Sequence, residues 1–224
     1  MVKKKFINER IQFIRDKLCT ETEYNTSVYG EKLINSHGMH FRTWDPKRSK
    51  LSASIINGMK DVPILEDSTV LYLGASFGTT VSHISDIIPF GTVFAVEFSP
   101  EPFAKLLKIS ENRKNIYPLL ENARMPETYG FFLEKDPDVI YQDISQRDQI
   151  NILSVNLSYF HKWQYAILAL KTTSIDSSKK PKDILEESVK KMKLIKNIYI
   201  TEVIDISNYH KGHFLIVMRN MGIS

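Results

Sequence analysis

The sequence has a single cysteine, Cys19, and no long apolar run. One cysteine excludes an intrachain disulfide and a cysteine-rich zinc site, and it favours a reducing, intracellular setting. No apolar stretch approaches the roughly 20 residues that a membrane-spanning helix needs, so we expect no membrane association. The six histidines lack the H-x-x-x-H spacing of a metal site, and no carboxylate cluster is present, so no metal is expected.

The chain does carry enough apolar residues for a sizeable core, with 224 residues of which 42% are hydrophobic. This length suits one main domain with a modest appendage. The formal net charge of +4 permits an anionic partner without establishing one. One stretch interleaves basic and aromatic residues, a pattern that suits a phosphate backbone, although an ordinary solvated surface is the alternative. Its members are Phe41, Arg42, Trp44, Lys47, Arg48 and Lys50.

The segment Val70–Thr80 is the strongest local signal for a binding site. An apolar run long enough for a buried strand meets a turn with glycines at Gly74 and Gly78, and Thr79 and Thr80 then suit a helix start. Such a loop lets a ligand approach bare backbone, and the first helical amides offer unpaired donors. We therefore expect a polar ligand at this turn.

The next predicted strand ends at Glu97, which lies 97 − 74 = 23 positions after the first glycine. An acidic residue at this position accepts hydrogen bonds from the hydroxyls of a ribose in doubly wound nucleotide-binding sheets. A solvated loop carboxylate is the simpler alternative. The glycine spacing is not G-x-G-x-x-G, so the loop by itself is a weak indication.

From Val70 onward, strand and helix patterns alternate, which predicts a parallel sheet covered on both faces. The last two strands have only a short turn between them and are expected to form an antiparallel hairpin. The predicted strands cover Val70–Leu73, Thr92–Val96, Ile116–Leu119, Val139–Gln142, Tyr165–Leu170, Ile198–Ile204 and His213–Met218. The predicted helices cover Thr79–Ile88, Pro100–Arg113, Gln146–Phe160 and Pro181–Lys196.

Residues before about Leu51 place aromatic side chains among Thr, Asn, Ser and Gly, which favours short strands and turns. One or two helical turns between Glu9 and Lys17 are the exception. We expect a small β-rich subdomain at residues 1–50 and the main α/β domain at 51–224, with a helix over Ser49–Met59 at their boundary.

Ligands of such sheets bind beyond the carboxyl ends of the strands. Phe98 could pack on a purine ring and Asn122 could hydrogen-bond its edge, although either could simply fill its own loop. The residues at the predicted strand ends are Gly74, Ala75, Glu97, Phe98, Asn122, Ala123, Asp143 and Lys171.

Several segments, in this order, closely resemble the fibrillarin family, in particular its archaeal form. The resemblance runs from about Trp44 to Met218, and the series of matches is far more specific than any single glycine loop. The segments are PKRSKL from Pro46, VLYLGASFGTTVSHISD from Val70, VEFSP from Val96, NARMP from Asn122, VIYQDISQ from Val139 and KTTSID from Lys171.

The resemblance implies an α/β, Rossmann-like S-adenosylmethionine-dependent methyltransferase fold, with a seven-stranded mixed sheet and a small N-terminal β-rich subdomain. The implied enzyme methylates the ribose 2′-hydroxyl of ribosomal RNA, with transfer RNA as a further candidate. It would work inside a box C/D ribonucleoprotein with a guide RNA, a target RNA, a Nop-type scaffold protein and a kink-turn-binding ribosomal-type protein. The lack of a Gly/Arg-rich N-terminal extension looks archaeal-like, and a cytoplasmic location is expected.

The resemblance also implies a catalytic set of Lys50, Asp143, Lys171 and His213. Lys171 would orient and help deprotonate the hydroxyl, Asp143 would position Lys171, and the other two would complete a polar cage. A solvated lysine, a helix-capping Asp143 and a structural His213 are the alternatives, and His210 competes for the last role. The expected cofactor-binding residues are Gly74, Ala75, Thr79, Thr80, Glu97, Phe98, Asn122, Ala123, Asp143 and Gln146.

Three departures from the family pattern limit this transfer. Phe77 occupies a loop position where small residues are usual, so its ring either points away from the cofactor or narrows the pocket. Asn122 replaces the usual aspartate, and Trp163-Gln164 replaces a glycine pair. Two other functions therefore stay open: a non-catalytic assembly subunit that keeps the fold, and a methyltransferase that acts on a small molecule.

Overall fold

The computed structural model describes residues 9–222, and its first part is a four-stranded antiparallel sheet with the order β1-β2-β4-β3. Its strands are β1 Ile11–Ile14, β2 Lys17–Thr22, β3 Leu33–Ser36 and β4 Met39–Thr43. The β-rich subdomain is therefore present, and residues 1–8 of its predicted range lie outside the described residues. The prediction of one or two helical turns between Glu9 and Lys17 is wrong, because β1 and the start of β2 lie there. Arg15 and Asp16 both adopt positive φ and form the two-residue turn of a hairpin.

Helix α1, Lys50–Ile56, connects this sheet to the rest of the chain. Ser49 caps it by accepting a hydrogen bond from the Ser52 amide. The helix is shorter than the predicted Ser49–Met59 because Gly58 adopts a φ of +100°, a conformation that ends helices. The cap places Lys50 in the first turn.

The main sheet has seven strands in the order β10-β11-β9-β8-β5-β6-β7. Strands β5 to β9 are parallel to one another, while β11 pairs antiparallel with both β9 and β10, as predicted for the final hairpin. The strands are β5 Thr69–Leu73, β6 Thr92–Glu97, β7 Ile116–Leu120, β8 Val139–Gln142, β9 Tyr165–Lys171, β10 Ile198–Asp205 and β11 His213–Asn220. The sequence-based strand assignments are confirmed to within two residues at each end.

Helices cover both faces of this sheet, and two short 3-10 turns follow β7. Gly78, in the left-handed conformation, occupies the N-cap position of α2, so Thr79 and Thr80 are its first helical residues rather than its caps. The helices are α2 Thr79–Ile87, α3 Pro100–Asn112, α4 Gln149–Tyr159, α5 Thr172–Ile175 and α6 Pro181–Met192. None of the helices within residues 9–222 has the length and apolar character that crossing a bilayer requires.

The two sheets share one hydrophobic core, in which Leu18 and Trp44 belong to the same buried cluster as Ile84 of α2. Beside it, the Asp86 carboxylate forms ion pairs of 2.6 Å with both Arg42 and Arg113. Arg42 is completely buried, so it is not part of an RNA-facing surface as its basic-aromatic stretch suggested. A buried carboxylate needs such partners because an unpaired charge is costly there.

Candidate active site

The carboxyl ends of β5, β6, β7 and β8 converge on a cavity of about 290 Å³. This is the position at which open α/β sheets bind ligands, and the volume is near the lower end of the roughly 300–1,000 Å³ usual for small-molecule pockets. Seven of the ten predicted cofactor-binding residues line this cavity. They are Gly74, Glu97, Phe98, Asn122, Ala123, Asp143 and Gln146.

Glu97 ends β6 at one wall of the cavity and is largely buried. Its two carboxylate oxygens each accept one backbone amide hydrogen bond of 2.7 Å, from Ser76 and from Ser99. An ionised carboxylate has about four acceptor positions, so both oxygens retain capacity for a further donor. The carboxylate is thus held rigidly while it still offers acceptors to a pair of hydroxyl groups.

Gly74 adopts a φ of +83° where β5 turns into the cavity. A Cβ atom here would lie 2.5 Å from the Asp143 carbonyl oxygen and 2.8 Å from the Ile144 side chain. Glycine is therefore required both by the backbone conformation and by the close approach of the β8 end. The amides of Gly74 and Ala75 donate to the Val96 carbonyl, which joins this loop to β6.

The remaining wall combines an aromatic ring with an amide. The Phe98 side chain is 71% exposed, which leaves its ring available for stacking. The Asn122 Oδ1 atom accepts a hydrogen bond of 3.1 Å from the Arg124 amide. Oδ1 keeps one further acceptor position, and the unpaired Nδ2 group is a donor, so Asn122 offers a ligand both kinds of contact.

Three predicted cofactor-binding residues do not line this cavity. Ala75 is buried beside it, and the Thr80 hydroxyl donates to Ser49 Oγ at 3.0 Å beneath the loop. Thr79 lines a separate groove on the other side of the loop, together with Phe77. The Phe77 ring therefore points away from the cofactor cavity, and it does not narrow it.

Asp143 lies at the end of β8, where its Oδ2 atom forms an ion pair of 2.8 Å with Lys50 Nζ. The carboxylate does not cap α4, because that helix begins at Gln149 with Asp148 in the N-cap position. The contact that the structure gives Asp143 is thus with Lys50, rather than with Lys171 as the sequence suggested. The Lys171 amine has no hydrogen-bonding or ion-pair partner within residues 9–222.

His213 begins β11 directly opposite Lys171 of β9, so their side chains are cross-strand neighbours. The His213 Nδ1 atom donates to the Lys211 carbonyl at 3.0 Å, which leaves Nε2 as the acceptor of the neutral ring. Burial, aided by Lys50, lowers the pKa of His213 below its ordinary value. His210 likewise donates one ring nitrogen, Nε2, to a backbone carbonyl, that of Pro46, at 2.8 Å.

A cluster of this kind can bind and activate a polar group next to the cavity. Two amines provide positive charge, and a neutral imidazole provides a proton acceptor. In the described part of the chain, no group of three or more histidine, cysteine or acidic side chains could hold a metal ion.

Comparison with protein-family models matches residues 4–221 to the model described as Fibrillarin. The chain belongs to the fibrillarin family. A Thermoplasma acidophilum relative described as a fibrillarin-like rRNA/tRNA 2′-O-methyltransferase is 49% identical over 210 residues, which cover 94% of this chain and 89% of the relative.

Two solved fibrillarin structures share the whole fold. A chain of a fibrillarin/Nop5p complex has a TM-score of 0.88 at 37% identity, covering 97% of this chain and all of the other. Aeropyrum pernix fibrillarin, solved with natively bound S-adenosyl-L-methionine, has a TM-score of 0.82 at 31% identity, covering 93% of this chain and 92% of the other. The expected Rossmann-like methyltransferase fold is therefore confirmed.

The fibrillarin cavity of this chain fits the adenosine part of S-adenosylmethionine. The free acceptor positions of Glu97 match the two ribose hydroxyls, and the exposed face of Phe98 matches a purine ring. The carboxylates of Glu97 and Asp143 also suit a ligand that carries a positive sulfonium group.

Two buried glutamines that the sequence analysis missed connect residues of the candidate site. Gln149 Oε1 accepts the Lys171 amide hydrogen, and its Nε2 donates to the carbonyls of Lys171 and Gln146, each contact being 3.0 Å. Gln142, next to Asp143, donates to the Gln149 carbonyl at 2.6 Å. The position of Gln142, a polar residue at the end of an apolar strand, could have indicated its role. Nothing in the local sequence indicates the role of Gln149.

Proposed function

We propose that this chain is the S-adenosylmethionine-dependent RNA ribose 2′-O-methyltransferase of a box C/D guide ribonucleoprotein. The observation that carries the proposal is the cluster of Lys50, Asp143, Lys171 and His213 at the rim of an adenosine-sized cavity. The 49% identical relative described as a fibrillarin-like rRNA/tRNA 2′-O-methyltransferase supports the same assignment.

Glu97 would hold the ribose of the cofactor, with Phe98 and Asn122 around the adenine and Gly74 and Asp143 near the methionine portion. S-adenosylmethionine, when bound, supplies a methyl group on a positively charged sulfur. The rigid backbone contacts of Glu97 fix the cavity wall in advance, so little ordering is needed on binding.

The chain's own residues act on the target hydroxyl. A ribose hydroxyl is a poor acid, and its proton must leave as the new oxygen–carbon bond forms. The unpaired Lys171 amine, in its charged form, donates a hydrogen bond that orients this hydroxyl, and His213 Nε2 on the adjacent strand accepts the proton. Lys50, held by Asp143, contributes positive charge that stabilises the developing negative charge on oxygen.

The partners of this proposal are a Nop-type scaffold protein, a guide RNA, the target RNA and a kink-turn-binding ribosomal-type protein. A scaffold partner is supported by the solved fibrillarin/Nop5p complex. In such a particle the guide selects the target by base pairing, and the enzyme needs to recognise only backbone and shape.

The deciding experiment compares cofactor binding with catalysis. Calorimetry with S-adenosylmethionine should show saturable one-to-one binding that Glu97→Ala and Asp143→Ala weaken. In a reconstituted particle, Lys171→Ala should retain cofactor binding and lose guide-dependent methylation. Lys190→Ala, an exposed residue of α6, is the control that should change neither property.

Other outcomes would support the alternative functions. If the wild-type chain does not bind the cofactor at millimolar concentration, the assembly-subunit alternative replaces the proposal. Methylation of a small acceptor without any guide RNA would instead favour the small-molecule enzyme.

A further inference from the structure

A second and larger groove, of about 870 Å³, lies on the far side of the Gly74–Gly78 loop. It is bounded by the loop that follows β2, by the start of α2 and by one face of α3. Its charge is strongly unbalanced, because four cationic side chains line it against one carboxylate, Glu23. The cations are Arg48, Lys105, Lys108 and Arg113.

Arg113 is the anchored member of this set, with only 2% of its surface exposed. Its Nη1 atom contacts Asp86 at 2.6 Å and the Ser82 carbonyl at 3.0 Å, and its guanidinium carbon lies 4.2 Å from the centre of the Tyr24 ring. Its Nη2 atom has no hydrogen-bond partner. Because this Nη2 atom is itself buried, Arg113 supports the Tyr24 wall of the groove and does not contact a ligand directly.

Lys105 and Lys108 lie one turn apart on the exposed face of α3, and neither has an ion-pair partner within residues 9–222. The Lys105 amine lies 4.5 Å above the Phe77 ring, which is 44% exposed. A cationic groove with an accessible aromatic ring is the arrangement with which proteins bind single-stranded nucleic acid. An acidic peptide would use the charges but not the half-exposed ring.

The groove is separate from the cofactor cavity, but residues adjacent in the chain line the two spaces. Arg48 precedes Lys50 by two residues, so their Cα atoms lie within about 7 Å of each other. Phe77 lines the groove, while its neighbour Ser76 lines the cofactor cavity. An RNA strand whose target ribose is held at Lys50 and Lys171 therefore passes near this groove and can enter it where the strand leaves the guide duplex.

We propose that this groove binds the phosphodiester backbone of the target RNA where that strand leaves its duplex with the guide and is single-stranded. The exposed Lys105 and Lys108 contact phosphate oxygens, and Phe77 stacks against an unpaired base. This inference rests on the proposed function for the identity of the RNA.

The test is a Lys105→Ala/Lys108→Ala double variant in the reconstituted particle, compared with Lys190→Ala/Lys191→Ala on α6. Both variants lose two exposed positive charges. The dissociation constant of the target RNA should rise only for the groove variant, with cofactor affinity unchanged. Two lost phosphate contacts should reduce the slope of log affinity against log salt by about 1.4, so that the difference from wild type shrinks about sevenfold between 50 and 200 mM salt.

Equal RNA affinity for both variants would overturn the groove proposal. Methylation by the wild-type particle would still support the proposed function in that case. Loss of scaffold binding in place of RNA binding would show that the groove is a protein interface and would also overturn it. If the wild-type particle does not methylate RNA, the proposed function fails, and the groove is then judged by binding of a labelled single-stranded RNA to the purified chain variants.

Discussion

At the scale of the single residue, the glycine loop contains two glycines with different constraints. A Cβ at Gly74 would lie 2.5 Å from the Asp143 carbonyl oxygen, whereas a Cβ at Gly78 would lie 2.8 Å from the end of the Ile109 side chain. Both have positive φ, so either substitution costs about 1–2 kcal/mol in backbone strain. Gly74→Ala should destabilise the fold further and abolish cofactor binding, because a backbone contact cannot relax as a side chain does.

Urea unfolding and calorimetry with S-adenosylmethionine check this difference. Gly78→Ala is the matched control, with a smaller loss of stability and with measurable cofactor binding. Equal losses of stability and of cofactor binding in both variants would show that the positive φ, and not the contact with the Asp143 backbone, causes the effect.

Asn122 is a second residue whose chemistry affects the cofactor. Its Oδ1 already accepts from the Arg124 amide, and its Nδ2 is a donor that cannot pair with the amino group of adenine. Asn122→Asp would keep the contact to Arg124 and present an acceptor to the adenine amino group. We expect severalfold tighter binding of S-adenosylmethionine and an unchanged affinity for its analogue that lacks the amino group. An equal gain for both ligands would indicate a general electrostatic effect.

At the scale of secondary-structure elements, α4 positions the end of β9, which carries Lys171. The Gln149 side chain in α4 hydrogen-bonds to both the amide and the carbonyl of Lys171, and it also donates to the Gln146 carbonyl. Gln149→Leu leaves these groups unpaired, at a cost of about 1–3 kcal/mol, and lets the lysine shift. A misplacement of about 1 Å can reduce a rate about a hundredfold.

We therefore expect Gln149→Leu to lower kcat at least tenfold, at a temperature where the variant is fully folded, with little change in cofactor affinity. Single-turnover methylation and calorimetry measure the two quantities. Gln164→Leu, on the exposed end of the same sheet, is the control. If kcat is unchanged while stability falls, Gln149 has only a structural role.

The junction between β4 and α2 gives the fold an acid-sensitive contact. Burial raises the pKa of Glu31, but Arg42 and the amides of Tyr29 and Val28 outweigh it and hold that pKa at about 2, below the ordinary value of 4.5. A lowered pKa stabilises the folded state above pH 4.5, and this contribution is lost as the pH falls from 4.5 to 2. It amounts to at most about 3 kcal/mol.

Urea unfolding at pH 7 and at pH 3 should show the loss in wild type. Glu31→Gln should be less stable at pH 7, because Arg42 loses a partner, and its stability should depend less on pH. Parallel pH profiles for the two proteins would assign the acid sensitivity to other groups.

At the scale of the whole molecule, the small sheet and the main sheet should unfold together, because they share one apolar core and the buried Asp86 ion pairs. The two tryptophans report on the two parts: Trp44 follows the small sheet, and Trp163 precedes β9. In single-tryptophan variants, Trp44→Phe and Trp163→Phe, the urea midpoint from fluorescence should match that from circular dichroism. An earlier fluorescence midpoint in Trp163→Phe would reveal independent unfolding of the small sheet.

The sequence by itself determined the order and type of nearly every element from Val70 onward, the family and most of the cofactor cavity. These features depend on local apolar periodicity, glycine positions and the rule that parallel strand ends meet at one edge. Only the tertiary structure decided which charges are buried and which pairs form. Arg42 lies in the core, Asp143 pairs with Lys50, which is 93 positions away, and Gln149 hydrogen-bonds to the Lys171 backbone. Such contacts join residues far apart in the chain, and no local pattern encodes them.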